Sequence, residues 1–460
     1  MTNNIINQIL DFNSEVIILG AGLAGSECAW QLANANINVS LIEQRPGVKS
    51  EAHKTENFAE LVCSNSLKSQ DPLSAPGQLK WELTELNSLI IKIANKNKVA
   101  AGQALAVNRD TFAQEVTTEI SKHPNIQVIN QSIDSFEQLI VSKDDKQLPV
   151  VIATGPLTKE SFAKSLSHLL GEQLYFYDAI APIIDGESIN RDIVFAQNRY
   201  DKPGDSGDTD EYLNCPFDKE EYLHFANEVI NAEKVGSKDF EKMVYFQGCQ
   251  PIEALLEKGI DTPRFGPMKP RGITDPRTDS RPYAVAQLRR EDNEGKAWNL
   301  VGFQTKLKYP EQKRIFKLIP GLENVEFFRL GSLHRNTYCN APLLLNKYSQ
   351  ISKHPEFFLA GQITGVEGYL ESCASGAYVA KMIIQEIKGS EEKITPPQTT
   401  ALGALVCATF NGRAKNFQPI NINWGIVPLN NIEIKDKEKK LKLVQRAQRQ
   451  FNQWKDHLPS

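Results

Sequence analysis

EVIILGAGLAGSECAWQLANANINVSLIEQ, residues 15–44, decides the fold. EVIILG sets four consecutive apolar residues between a Glu and a Gly, the pattern of a buried strand. GAGLAG follows at once, with Gly20, Gly22 and Gly25 in G-x-G-x-x-G spacing. SECAWQLANAN then reads as a helix, and NVSLIEQ as a second strand closing on Glu43. The first glycine permits a tight turn, the second lets backbone approach a pyrophosphate, and the third lets helix and strand pack closely. The amino end of the helix faces the phosphates. Gly20, Ala21, Gly22, Leu23, Ala24 and Gly25 are therefore expected to hold a dinucleotide. Glu43, about 20 residues on, is placed for a ribose hydroxyl.

Two later stretches point to FAD rather than NAD. LPVVIATG, residues 148–155, is an apolar strand ending in Gly155. FFLAGQITG, residues 357–365, is a strand running into Gly361 and Gly365, followed by the helical pattern ESCASGAYVAKMIIQEI. Together with the first motif they resemble the three-part signature of large FAD-binding flavoproteins. In those, the second and third segments close around FAD from the far side of the sheet. AVNRDTFAQEV, residues 106–116, reads as a strand end and a helix capped by Asp110 or Thr111, with Arg109 either in reach of the cofactor or on the surface. The expected fold is α/β: a Rossmann-like FAD-binding domain of the glutathione-reductase type, with a smaller inserted α+β domain. The expected boundaries are 1–184 for the first FAD-binding part, 185–325 for the insert, and 326–460 for the second part with a basic tail.

Composition sets the outer limits. A chain of 460 residues exceeds one ordinary core. Hydrophobic residues make up 41% and charged residues 23%, which fits a globular class and excludes a disordered one. There is no apolar run long enough to span a membrane and no signal-peptide pattern at the start, so a cytoplasmic location without membrane partners is expected. The formal charge of -4 speaks against a uniformly basic coat. Two segments are locally basic. Residues 264–290 hold seven Lys or Arg against Asp275 and Asp279, and residues 435–449 hold seven against Asp436 and Glu438. Such clusters on an acidic chain point to a localised polyanion site. The acidic insert DKPGDSGDTDEY, residues 201–212, is expected to point away from it or to be mobile.

The seven cysteines form no CxxC and no metal-ligand spacing, so no metal is expected. Cys28, Cys373 and Cys407 lie in apolar helical patterns and read as packing, while Cys215 and Cys339 stay ambiguous. Cys63, in LVCSNSLKS (residues 61–69), sits among hydroxyls and Lys68 in a segment that could begin a helix. Cys249, in YFQGCQPIEALLEK, precedes a helix start marked by Pro251, where a thiolate is stabilised. A flavin with thiols that are not paired in sequence suits pyrimidine modification. A thiolate adds to C6 of uracil, C5 turns nucleophilic and takes a one-carbon unit, a base removes the C5 proton, and a hydride source completes the reduction.

The motifs GAGLAGSE, LVCSNSLKS, YLNCP, FQGCQPIE, RFGPMKPRG, GSLHRNTY and GQITGVEGYLESCASG resemble the folate- and FAD-dependent tRNA uracil-5 methyltransferases. The resemblance runs from about Val16 to the FQPININWGIVPL tail. It implies methylation of the T-loop uridine of tRNA at C5. The methylene would come from 5,10-methylenetetrahydrofolate, be carried by FAD, and be reduced with NADH or NADPH; DNA is not an expected partner. It further implies catalytic cysteines at Cys63 and Cys249 and a tyrosine near the flavin at Tyr369. Cys249 is assigned to C6 and Cys63 to deprotonation at C5, an order the sequence alone leaves reversible. Arg264, Lys269 and Arg271 are candidates for folate glutamates or tRNA phosphates, and His334 for a pterin or base contact. The alternatives are a flavoprotein that modifies the tRNA wobble uridine with an aminomethyl group, usually much longer, and a non-catalytic tRNA-binding flavoprotein.

Overall fold

The computed structural model describes the chain apart from residues 1, 51, 171–173, 205–206, 236–249, 413, 416, 430–435 and 460. Its larger unit is built on a six-stranded sheet. From edge to edge the strands are Gln350–Ile351, His354–Leu359, Val150–Ile152, Val16–Leu19, Val39–Glu43 and Ile126–Asn130. The last five run parallel, and Gln350–Ile351 pairs antiparallel at one edge. Ile17 lies between Ser40 and Val150, and Phe358 lies opposite Val151. A parallel sheet is covered on both faces, which is why Val16–Leu19 and Val39–Glu43 are buried at every position. Helices Leu23–Ala33 and Tyr369–Ile387 pack on one another and are buried along most of their length. Gly25 is needed for space: a Cβ there would lie 1.8 Å from the Gly20 carbonyl oxygen. Gly20 has φ +101°, a backbone state that side chains avoid.

Two local expectations change. Residues 66–69 form the strand Ser66–Ser69, antiparallel to Ala104–Val107, rather than a helix start. The Val107 N–H donates to the Asn65 carbonyl at 3.0 Å and the Asn65 side chain donates to the Val107 carbonyl at 3.2 Å, which holds the chain extended. The helix Arg109–Lys122 is capped by Asn108, whose side-chain oxygen accepts from Asp110 and Thr111 N–H, and not by Asp110 or Thr111.

The smaller unit is an antiparallel sheet in the order Phe195–Ala196, Tyr212–Phe217, Ala284–Arg290, Ala297–Val301, Ile183–Asp185 and Phe327–Arg329. Helices Lys219–Asn231 and Ile252–Lys258 help to enclose its own core, which includes Tyr222, Phe225, Trp298, Phe303 and Phe316. An antiparallel ribbon, Leu174–Ile180 with Ser332–Tyr338, joins the units. The strand Phe327–Arg329, expected in the second FAD-binding part, completes the insert's sheet by pairing with Ile183–Asp185. The end of the insert 201–212 reaches the larger unit. The Glu211 carboxylate accepts from the Gly102 N–H, and the Tyr212 hydroxyl donates to the Ala101 carbonyl at 3.2 Å, so this segment grips the larger unit. The basic helix Asp436–Asp456 docks through Leu443, Phe451 and Trp454, with Phe451 edge-on to Trp81. Among the described residues no helix is long and apolar enough to cross a membrane.

Candidate active site

A cleft of about 1070 Å³, counting its open mouth, lies at the carboxyl ends of the parallel strands. Gly20, Gly22, Leu23, Ala24, Glu43, Gly155 and Gly361 line it. A Cβ on Gly22 or Gly155 would meet no protein atom within 4 Å, so bare backbone faces the cleft where a pyrophosphate would approach. Glu43 closes the second strand with only 4% exposure. Its carboxylate accepts from Ala21 N–H at 2.8 Å and from Arg45, through the backbone at 3.1 Å and Nε at 2.8 Å. Burial pushes this carboxyl up, but Arg45 and the backbone donors outweigh it and hold it below the usual range. These residues fit FAD. Ala21 takes part through the Glu43 bond; Gly25 packs helix on strand; Gly365 is turned toward Phe417, 2.5 Å from where its Cβ would be. Arg45, two residues past Glu43, is a functional group the sequence reading passed over.

Cys63 and Tyr369 are brought together at this cleft. The Tyr369 hydroxyl accepts the backbone N–H of Cys63 at 2.6 Å and of Ser64 at 3.2 Å. Burial, then the neighbouring Cys63, push the phenol up, so it stays protonated. The carbonyls of the same loop are gripped by two arginines. Arg109 donates to Leu61 O at 2.9 Å and Cys63 O at 3.4 Å. Arg329 donates to Val62 O at 3.0 Å and Cys63 O at 3.1 Å. Glu291 holds Arg109 through two hydrogen bonds of 2.6 and 3.0 Å. Burial, with Arg109 adding to it, pulls Arg329 down to about 10, so it keeps its charge at neutral pH. Asn65 continues the join, accepting from Arg289 Nε at 3.0 Å and donating to the Arg290 carbonyl at 3.0 Å. Thus residues 61–65 of the larger unit are clamped directly by Arg289, Arg290 and Arg329 of the smaller one, and by its Glu291 through Arg109. Lone arginines and a lone glutamate so far away carry no motif, so this clamp was not legible in the sequence. Lys68 pairs with the buried Glu371 instead of facing Cys63.

The other expectations scatter. Cys249 lies outside the described residues; the helix after it, Ile252–Lys258, starts behind Pro251 as expected. Cys28, Cys215 and Cys373 are buried and pushed well up by burial, and Cys339 is pushed up to about 12; Cys407 is half-buried. Arg264 lies 3.4 Å over the Tyr283 ring and pairs with Asp261, which gives it a structural role. Arg277 pairs with Asp275. His334 lies opposite Asp178 in the joining ribbon.

The family model described as "Glucose inhibited division protein A" matches residues 15–391. A methylenetetrahydrofolate–tRNA-(uracil-5-)-methyltransferase TrmFO of Desulfotalea psychrophila is 51% identical over 417 residues, 90% of this chain and 91% of that protein. The chain belongs to the TrmFO family. The TrmFO protein of Geobacter sulfurreducens is 47% identical over 439 residues, 95% of this chain and 98% of its own length. Among solved structures, Aquifex aeolicus GidA superposes with a TM-score of 0.67 at 14% identity, covering 96% of this chain and 77% of that one. That likeness is one of fold, and it agrees with the FAD-binding architecture expected from the sequence.

Proposed function

We propose that this chain methylates the T-loop uridine of tRNA at C5, taking the methylene from 5,10-methylenetetrahydrofolate and the electrons from NADH or NADPH. The balance is uridine plus methylenetetrahydrofolate plus NAD(P)H plus a proton, giving 5-methyluridine, tetrahydrofolate and NAD(P)+. Bound FAD supplies the one-carbon unit and the electrons; Gly22, Gly155, Glu43 and Gly361 would hold it. The Cys249 thiolate adds to C6 of the uracil and makes C5 nucleophilic. After C5 has taken the one-carbon unit, Cys63 removes the C5 proton; a hydride equivalent, drawn ultimately from NAD(P)H, reduces the new exocyclic carbon to methyl, and Cys249 leaves as the C5–C6 double bond is restored. Tyr369 is the positioning residue for Cys63, and the target base must leave its stack to arrive there.

The observation that carries this reading is the loop of Cys63, fixed at the rim of a dinucleotide cleft by Tyr369, Arg109 and Arg329. Relatives 47–51% identical that carry the uracil-5 methyltransferase name support it over the wobble-uridine alternative. The test is turnover of unmodified tRNA with folate labelled in its methylene carbon, followed by nucleoside mass spectrometry, with Cys63→Ala and Cys249→Ala alongside. Labelled 5-methyluridine from the wild type, and none from either variant, is expected. A yellow protein that yields no labelled nucleoside would overturn the assignment.

A further inference from the structure

The smaller unit carries a second, open groove of about 1760 Å³. Five cations line it, Lys54, Lys313, Arg314, Lys317 and Arg329, against one carboxylate, Glu326. Arg314 is taken by Glu228 and Glu311. Among the described residues, Lys54, Lys313 and Lys317 have no ion-pair partner. Burial, then Arg329 and Arg109, pull the Lys54 ammonium down, with Glu60 and Asp110 offsetting part of it.

Two aromatic rings share the groove. Tyr309 is 58% exposed and Phe328 is 56% exposed. Tyr309, Lys313 and Lys317 recur every four residues along Tyr309–Ile315 and the turn Phe316–Leu318, so they share one face. On the edge strand Phe327–Arg329, Phe327 packs on the core while Phe328 turns outward. Core packing does not account for two large rings more than half exposed in one basic depression.

The groove abuts the site already described. Arg329 lines it and also holds the Val62 and Cys63 carbonyls. Ala52 and Lys54 face the groove, whereas His53, Glu60 and Val62 face the FAD cleft, so residues 52–62 form a wall between them. We infer that this groove seats the RNA nucleotides flanking the target uridine, with Tyr309 and Phe328 stacking on their bases and Lys54, Lys313 and Lys317 meeting their phosphates. Extruding one base unstacks its neighbours, and a ring offers them a new face whatever their identity. The inference rests on the tRNA methyltransferase reading above.

The test uses full-length holoenzyme carrying Tyr309→Ala with Phe328→Ala, and separately Lys313→Gln with Lys317→Gln. These side chains are exposed or at the groove surface, and an unchanged melting temperature checks folding. Three quantities are measured: tRNA affinity by filter binding across salt concentrations, the KM and kcat of methylation, and NADPH oxidation without tRNA. The aromatic pair is expected to weaken tRNA binding and raise its KM by about 10- to 100-fold. The lysine pair is expected to flatten the salt dependence of log K by about 1.5. NADPH oxidation and the KM for folate should not change. Unchanged tRNA affinity in both variants, with an active wild type, would overturn the groove and leave the methyltransferase reading standing. A raised KM for folate alone would hand the groove to the folate's anionic tail and overturn the RNA assignment. A wild type that neither binds nor methylates tRNA would remove the reading and the groove together.

Discussion

Tyr369→Phe is the sharpest probe of how Cys63 is held. The substitution keeps the ring that lines the cleft and deletes only the hydroxyl, the acceptor for the Cys63 and Ser64 N–H groups at 2.6 and 3.2 Å. A half-buried donor that loses its acceptor costs about 1 kcal/mol, so the pair costs about 2 kcal/mol. A loss of that size lowers the melting temperature of a domain by a few degrees. The effect on rate should be larger. The loop would keep its carbonyl anchors, Arg109 and Arg329, but lose those on its N–H side, and a displacement of about 1 Å in a reacting group costs on the order of 100-fold. Single-turnover formation of labelled 5-methyluridine should therefore slow by about 10- to 100-fold. Flavin content, read from absorbance after gel filtration, should match the wild type. A variant with wild-type turnover would refute the argument that this hydroxyl positions Cys63. A slow variant that has also lost its flavin would show that Tyr369 acts through cofactor retention instead.

Gly22→Ala and Gly25→Ala should separate binding from folding. The first adds a Cβ that meets no protein atom within 4 Å, so the apoprotein should keep its melting temperature while FAD is lost, measured by flavin fluorescence on dialysis. The second forces a Cβ to 1.8 Å from a carbonyl oxygen and should lower stability by several kcal/mol or abolish soluble expression. Glu43→Gln removes the charge that holds Arg45 and should weaken FAD by about 10- to 100-fold in an apoprotein titration. Lys80, pulled down to about 7 chiefly by burial, sheds its proton near neutrality when folded but near 10.5 when unfolded. Between those values the unfolded chain binds more protons, so this group makes stability rise with pH; Lys80→Met should flatten urea-melt stability across that window by up to about 1.4 kcal/mol per pH unit.

What the sequence disclosed and what it hid follow from the range of the interactions. The cofactor half was legible because its logic is local: strand, glycines, helix and Glu43 fall within thirty residues of chain. The edge of the insert's sheet was not legible to the residue, because Phe327–Arg329 pairs with Ile183–Asp185 far back in the sequence and a three-residue strand has no periodicity to read. SNSLKS misled because serines that open a helix also sit in strands; the Asn65–Val107 bonds decide the outcome, and they are tertiary. Cys63 and Tyr369 were both singled out, but their hydrogen bond spans 306 positions and no pattern announces it. Arg329 and Glu291 were missed for the same reason. In the basic segment 264–290 composition counts charges but does not see pairing: Arg264 and Arg277 already have acidic partners.

The clamp on residues 61–65 has an evolutionary consequence. Asn65 meets Arg289 and the Arg290 carbonyl, while Cys63 meets Arg109 and Arg329. The insert is thus not a module that can be exchanged freely between flavoproteins of this architecture. A transplanted insert must bring its own match to a loop encoded more than two hundred positions upstream, or the thiol loses its frame. Substitutions at Asn65, Arg289 and Arg329 should consequently be inherited as a set, and a chimera joining the cofactor half of one relative to the insert of another should bind FAD and yet stay inactive until that set is restored.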